Sequence, residues 1–318
     1  MKLIKPSFEI ISFDSNPLTH IERIARTCYK SEDKITDESA PTFVKMLFNK
    51  GHHAMLEFYP FYFRCNTGFT HALMMINQSP DVNGDLMAYD DFKEPWSQVS
   101  CSLRTAMMIS KYSGQLSGAI IKQYPELAYM FNKITTITDN DTMACKLVDL
   151  HSINPNLQYA TVRFITDRGI THELVRHRKC SFAQESTRYV NYGGKDMQFI
   201  IPSFITESID PKLLTTRIHD QTASPEESCQ LTWYNMCETA EEEYNELLKH
   251  NWLPQQARSI LPNSLKTEIV VQARLSEWKH IFRLRCNNAA HPDMRAIMIP
   301  LREEMSKRYP EYDFFTYE

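Results

Sequence analysis

Arg176, His177 and Arg178 open a polar segment, RHRKCSFAQESTRY, that closes on Tyr189. The preceding run, ITHELVRHRKC, predicts a helix through these three residues. At ~100° per residue, three neighbours cannot share one face, so burying an apolar face still directs two cations elsewhere. Arginine grips phosphate or carboxylate oxygens with a planar fork of donors that lysine does not reproduce. Ser186 and Arg188 follow in a loop that offers a hydroxyl, backbone amides and a guanidinium to a single oxyanion. The chemistry suggested is anion binding. From charge pattern alone, a solvated basic helix end complementing the helix dipole is the commoner outcome.

These side chains need elements to hold them. The apolar spacing predicts a short strand over Phe8–Phe13, a helix over 18–30 with Ile21, Ile24, Ala25 and Cys28 on one face, and a helix over 39–51 ended by Gly51. FYPFYFRC reads as a strand. YATVRFIT reads as another, with Ala160, Val162 and Phe164 alternating against Thr161, Arg163 and Ile165. Residues 66 to 155 read as mostly helical, with Met107, Met108, Leu116, Ile120 and Ile121 as core contacts. An acidic helix follows over about 227–250, then two further helices over about 264–285 and 292–308. Alternating helices with a few strands give an α+β class: helices on a small, mostly antiparallel sheet.

The composition of the 318-residue chain is ordinary for a globular protein, with 42% hydrophobic and 23% charged residues. A net charge of −4 advertises neither a nucleic-acid nor a membrane partner, so any anion site must be a local concentration of arginine. No apolar run approaches the ~20 residues of a membrane span. Eight cysteines without a C-x-x-C pair read as free thiols in a reducing, cytoplasmic setting, and no ligand spacing suggests a metal. Only eight glycines and no Ser/Gly or Pro-rich linker are present, so a single unit over 1–318 is expected, with a large helical insertion at about 66–155.

The pattern Arg-His-Arg, two residues, Ser, four residues, Ser, one residue, Arg-Tyr is filled here by Arg176, His177, Arg178, Ser181, Ser186, Arg188 and Tyr189. It resembles the defining motif of the flavin-dependent thymidylate synthases. RTCYKS with KGHHAMLEF, and ARSILPNSLKT with WKHIFRLR, resemble that family's N-terminal and C-terminal regions in the same order. The resemblance covers about 1–60 and 157–300. It implies reductive methylation of dUMP to dTMP with methylenetetrahydrofolate as one-carbon donor, FAD as hydride carrier and NADPH as reductant. It also implies a homotetramer with active sites shared between subunits.

Residue by residue, Arg176, His177, Arg178, Gln184 and His280 match flavin-contacting positions, and Arg176 also borders the nucleotide. Gln184, Glu185, Ser186, Thr187 and Arg188 match the loop that wraps dUMP, with Arg188 on the phosphate side. Glu173 stands where compact members carry a nucleotide-contacting Gln. An acid there calls for a partner such as Arg176 or the ribose hydroxyls. Arg258 matches another nucleotide-binding arginine. Arg285 matches the arginine that polarises the pyrimidine and is the expected catalytic residue. His52 matches a histidine beside the flavin, although a helix-end histidine satisfied by carbonyls reads equally well. The chain departs from the family at Arg274 and Ser276, where Asn and Arg are frequent, and at Ala54.

Other chemistries find less support. Cys180 lacks the Pro-Cys context of the flavin-independent synthases and reads as a packing residue. Ser186 has no G-x-S-x-G setting. Neither a G-x-G-x-x-G nor a P-loop pattern occurs, so any flavin site must be assembled from arginines and histidines.

Overall fold

Ile269, Val270 and Val271 are three consecutive β-branched residues, and side chains stiff at χ1 favour an extended chain. The computed structural model accordingly places a strand at Lys266–Arg274, where the sequence reading expects the start of one helix over 264–285. The helix begins only at Leu275. The structure describes residues 1–82, 84–90, 94–135, 145–194, 196–205 and 210–317.

In chain order the elements are β1 (Lys2–Ile4), β2 (Ser7–Ile11), α1 (Pro17–Ala25), α2 (Ser39–Asn49), β3 (Pro60–Asn66), α3 (Thr67–Asn77), β4 (Met87–Asp90), β5 (Trp96–Ser102), α4 (Leu103–Ile109), α5 (Gln115–Gln123) and β6 (Lys146–Leu147). They continue with β7 (Tyr159–Asp167), α6 (Arg168–Leu174), β8 (Ser181–Gln184), β9 (Gln198–Ile200), α7 (Pro211–His219), α8 (Pro225–Lys249), α9 (Pro254–Ala257), β10 (Lys266–Arg274), α10 (Leu275–Arg285) and α11 (Pro292–Arg308).

The main sheet has the order β2-β7-β10-β8, every neighbour antiparallel. Its register puts Ala160, Val162, Phe164, Ile269, Val271 and Ala273 in one core with Trp278, Ile281 and Phe282 of α10 and Met294, Ile297 and Met298 of α11. Trp278 is fully buried and donates its indole N–H to the Ala160 carbonyl at 3.0 Å, which pins α10 against β7. On the opposite face, Val270 and Ala183 pack with Ile11, Ile24 and Phe58. Asn16 starts α1 by accepting from the Leu18 and Thr19 amides, with Pro17 at the first helical position. The α+β class thus holds: helices cover a small antiparallel sheet.

The stretch read as a helical insertion carries more than helices. Besides α3, α4 and α5 it contributes β4, β5 and β6, which join β3 in a second antiparallel sheet ordered β4-β5-β3-β6. WSQVSCS hides its strand character from pattern reading because small polar residues are buried on both faces: Ser97 on one, Ser100 and Ser102 on the other, all fully covered. Leu73, Val99, Leu103, Ile109, Leu116 and Ile120 form this layer's own core. Met107, Leu116 and Ile120 are buried as expected, and Met108 and Ile121 pack partly buried against the same core. Residues 83, 91–93 and 136–144 of the stretch lie outside the described residues.

Candidate active site

The helix expected through Arg176–Arg178 stops at Leu174. Arg285, the last residue of α10, donates from Nη2 to the Glu173 carbonyl at 2.8 Å and from Nη1 to the Glu173 carboxylate at 2.8 Å. A cation at the helix C-terminus complements the helix dipole and adds a second donor to a carbonyl that also accepts from the Arg176 amide at 3.4 Å. Arg176, His177 and Arg178 therefore lie in the turn between α6 and β8, not on a helix face. The partner of Glu173 is Arg285, where the sequence reading offered Arg176.

That turn and α10 enclose a pocket of about 730 Å³ lined by Arg176, His177, Arg178, Lys179, Arg274, Ser276, Glu277, His280, Leu284 and Arg285, with Met87 reaching in from β4. Five of the lining residues are Arg or Lys and a single one is a carboxylate. Arg176, Arg178 and Lys179 are exposed, whereas His177 is only 7% exposed. Arg285 Nε donates to His177 Nε2 at 3.0 Å, and the His177 and His280 rings meet edge to face at 6.1 Å. Burial, then the Arg285 charge and then His280, lower the His177 pKa to about 4, so the imidazole is neutral near pH 7 and accepts from Arg285. Ligand atoms of His177, Glu277 and His280 lie within 4.8 Å of one another. The surrounding guanidinium groups, and the use of His177 Nε2 by Arg285, argue for an anion over a metal cation here.

The remaining predicted residues gather elsewhere, beyond β8. Arg258 Nη1 donates to Thr187 Oγ1 at 3.2 Å, and Arg188 Nε donates to Gln255 Oε1 at 3.3 Å. Ser186 Oγ accepts from the Arg188 amide at 3.3 Å, and its own N–H is held by the Cys28 carbonyl. Arg188 and Arg258 are both exposed, and neither is among the described residues that line the first pocket. His52 belongs to this second group: Tyr29 Oη lies 2.8 Å from His52 Nδ1, and Tyr29 also meets the exposed Tyr189 at 5.7 Å. The carbonyl-satisfying role falls to the neighbour, with His53 Nε2 at 3.0 Å from the Phe48 carbonyl.

Two loop residues face inward instead of toward a ligand. Gln184 Nε2 donates to Thr171 Oγ1 at 2.9 Å and to Thr267 Oγ1 at 3.4 Å. Glu185 is 2% exposed, and its two oxygens accept from Tyr192 Oη at 2.7 Å and Lys266 Nζ at 3.0 Å. Lys266 continues to Glu268 at 2.6 Å, and Lys30 reaches the same carboxylate at 2.8 Å. Burial raises the pKa of Glu268, but hydrogen bonds and charge from Lys266 and Lys30 outweigh it and hold the carboxyl low. This buried chain of alternating charge fixes the base of the 185–188 loop. Sequence reasoning missed it, although Lys266 and Glu268 at i and i+2 on a β-branched strand mark a polar stripe on one sheet face.

The family model described as "Thymidylate synthase complementing protein" matches residues 133–311, more than half of the chain. The chain belongs to this family. The matched span takes in the turn, both arginine groups, the 185–188 loop and the whole of α10. A flavin-dependent thymidylate synthase of Corynebacterium efficiens is 32% identical over 147 residues, covering 45% of this chain and 55% of that protein. Its counterpart from Mycobacterium tuberculosis is 29% identical over 161 residues, covering 48% of this chain and 61% of its own length. The chain thus spans little more than half the length of the curated relatives it matches. Cys180, which follows the motif's Arg178, packs partly buried against the main core, and burial pushes its thiol well up, opposite to what a nucleophilic thiolate needs. No described helix of this family member is long and apolar enough to cross a membrane.

Proposed function

We propose that this chain is a flavin-dependent thymidylate synthase that methylates dUMP to dTMP, with methylenetetrahydrofolate as one-carbon donor, FAD as hydride carrier and NADPH as reductant. The observation that carries the reading is the cationic pocket in which Arg176, His177, Arg178, His280 and Arg285 converge. Its donor set fits an anionic dinucleotide such as FAD: Arg and Lys dominate the lining, and the partly apolar wall suits a planar ring. FAD would be held by Arg176, His177, Arg178 and His280, and when bound it supplies reversible hydride transfer.

The protein's own share is positioning and electrostatics. Arg285 is preset by three hydrogen bonds, to Glu173 twice and to His177, so its guanidinium presents fixed positive charge without reorganising. Such charge stabilises negative charge developing on a uracil ring. Neutral His177 accepts from Arg285 and adds no competing cation. Ser186, Thr187, Arg188 and Arg258 form the nucleotide-phosphate group, so binding energy remote from the ring would orient it. Glu185 and Gln184 support that loop from beneath. Because Ser186, Thr187, Arg188 and Arg258 do not line the Arg285 pocket of their own chain, a complete site draws one group from each of two copies, in keeping with a homotetramer. His52 borders the phosphate group, facing a neighbouring copy's pocket. The chain as a whole acts as one synthase domain carrying the insertion, in the cytoplasm.

The test is direct. The purified protein should show the yellow absorbance of bound flavin, and NADPH oxidation should depend on dUMP and yield dTMP. A colourless protein that forms dTMP, or a flavoprotein whose NADPH oxidation ignores dUMP, would refute the assignment.

A further inference from the structure

One residue of the pocket does not come from the family segment. Met87 opens β4, the edge strand of the second sheet, is 37% exposed and lines the Arg285 pocket. Arg274 bonds to the chain on two sides of it. The guanidinium donates from Nε to Ser100 Oγ at 3.3 Å, from Nη2 to the Ser100 carbonyl at 3.3 Å, and from Nη2 to the Asp85 carbonyl. Ser100 is the cross-strand partner of Met87, so Arg274 grips the residue opposite it and the chain two residues before it. The Arg274 guanidinium carbon also lies 4.6 Å from the centre of the Tyr159 ring. Tyr159 Oη in turn donates to Asp85 Oδ2 at 2.6 Å, and the other Asp85 oxygen accepts from the Ser102 amide at 3.1 Å and the Ser102 hydroxyl at 2.9 Å. Arg274 and Tyr159 belong to the main sheet, whereas Asp85, Met87, Ser100 and Ser102 belong to the second layer. Two of the three guanidinium nitrogens are thereby engaged by protein acceptors. Arg274 is thus a strut between the two layers.

We infer that Met87 is an apolar contact for the planar heteroaromatic ring bound in this pocket, and that Arg274 is the positioning residue that sets Met87 there. The inference rests on the flavin reading for the identity of that ring. A thioether is polarisable and adapts to an aromatic face or edge, and with Leu284 it supplies the apolar side chains of a pocket otherwise lined mostly by Arg, Lys and His. The second layer thereby becomes part of the binding site.

The experiment measures flavin affinity by absorbance or fluorescence titration of the full chain, and backbone amide exchange without flavin. Met87→Ala should weaken flavin binding about threefold to tenfold, and Met87→Leu should stay within about twofold of wild type. Arg274→Ala should match Met87→Ala, and the double variant should be no worse than Arg274→Ala alone, because one residue acts through the other. Without ligand, Arg274→Ala should speed exchange over Met87–Asp90 while α10 stays protected. Wild-type affinity in Met87→Ala overturns the inference while leaving the flavin reading standing. Additive losses in the double variant make Arg274 a ligand contact and overturn its positioning role. Unchanged exchange over Met87–Asp90 overturns the strut. A wild-type chain that takes up no flavin sinks the flavin reading and the role of Met87 with it, and the exchange result then decides the strut by itself.

Discussion

Removing the Arg285 guanidinium probes both the chemistry and the electrostatics of the pocket. Arg285→Ala deletes three hydrogen bonds, to the Glu173 carboxylate, the Glu173 carbonyl and His177 Nε2. The Glu173 side chain is 35% exposed and regains water, and the Glu173 carbonyl keeps the Arg176 amide, so both shares are discounted; the 7% exposed imidazole loses its donor. Hydrogen bonds to charged groups contribute roughly 1.5–3 kcal/mol each when fully buried, so a net loss of about 1–3 kcal/mol in folding stability is expected. The chain remains folded. The His177 pKa, lowered to about 4, should rise because one positive neighbour is gone, yet stay below 6.5 because burial is its largest cause. Turnover to dTMP should fall by about 10²–10³, the usual cost of a lost preorganised donor. Urea unfolding, an NMR titration of the His177 imidazole and a dTMP assay read the three quantities. Near-normal dTMP formation would refute the catalytic role, and an unmoved His177 titration would refute the electrostatic account of the pocket.

Four other outcomes are expected. Arg285→Ala and Arg188→Ala, each inactive alone, should recover about a quarter of wild-type activity when co-refolded in equal amounts, because random mixing restores that fraction of sites shared between two copies; no recovery would mean that each site is built within one chain. Lys266→Met should cost about 3–5 kcal/mol by urea unfolding, since it strands the buried Glu185 carboxylate, and adding Glu185→Gln should return part of that loss. His20 and His177 both have folded pKa values lowered from 6.5 to about 4, His20 mainly by burial, so the unfolded chain binds more protons between those values. Stability should therefore fall as pH drops from 6.5 toward 4, by up to about 3 kcal/mol for each histidine, and His20→Gln should flatten that slope in urea titrations at stepped pH. Arg258→Ala should raise the KM for dUMP more than it lowers kcat and should weaken the salt dependence of nucleotide binding; an effect confined to kcat would remove Arg258 from the phosphate group.

The composition of the motif, and the helices at 17–25, 39–49, 225–249 and 292–308, were legible in the sequence because apolar spacing and end residues are local signals. So was β7, whose alternation Ala160-Val162-Phe164 matches the buried face. What escaped depended on partners distant in the chain. The strand β10 looks helical next to α10 until β7 and β8 flank it on both sides, and β5 buries serines that no local pattern marks as interior. Arg176, His177 and Arg178 were found by type, but their setting in a turn braced by Arg285, more than a hundred residues later, shows only in the tertiary structure. Likewise the inward course of Glu185, the pairing of Glu173 with Arg285 and the entry of Met87 into the pocket are set by packing between layers. Residue chemistry is carried by the sequence alone; which charges meet, and which are buried together, is decided only when the sheets and helices close over one another.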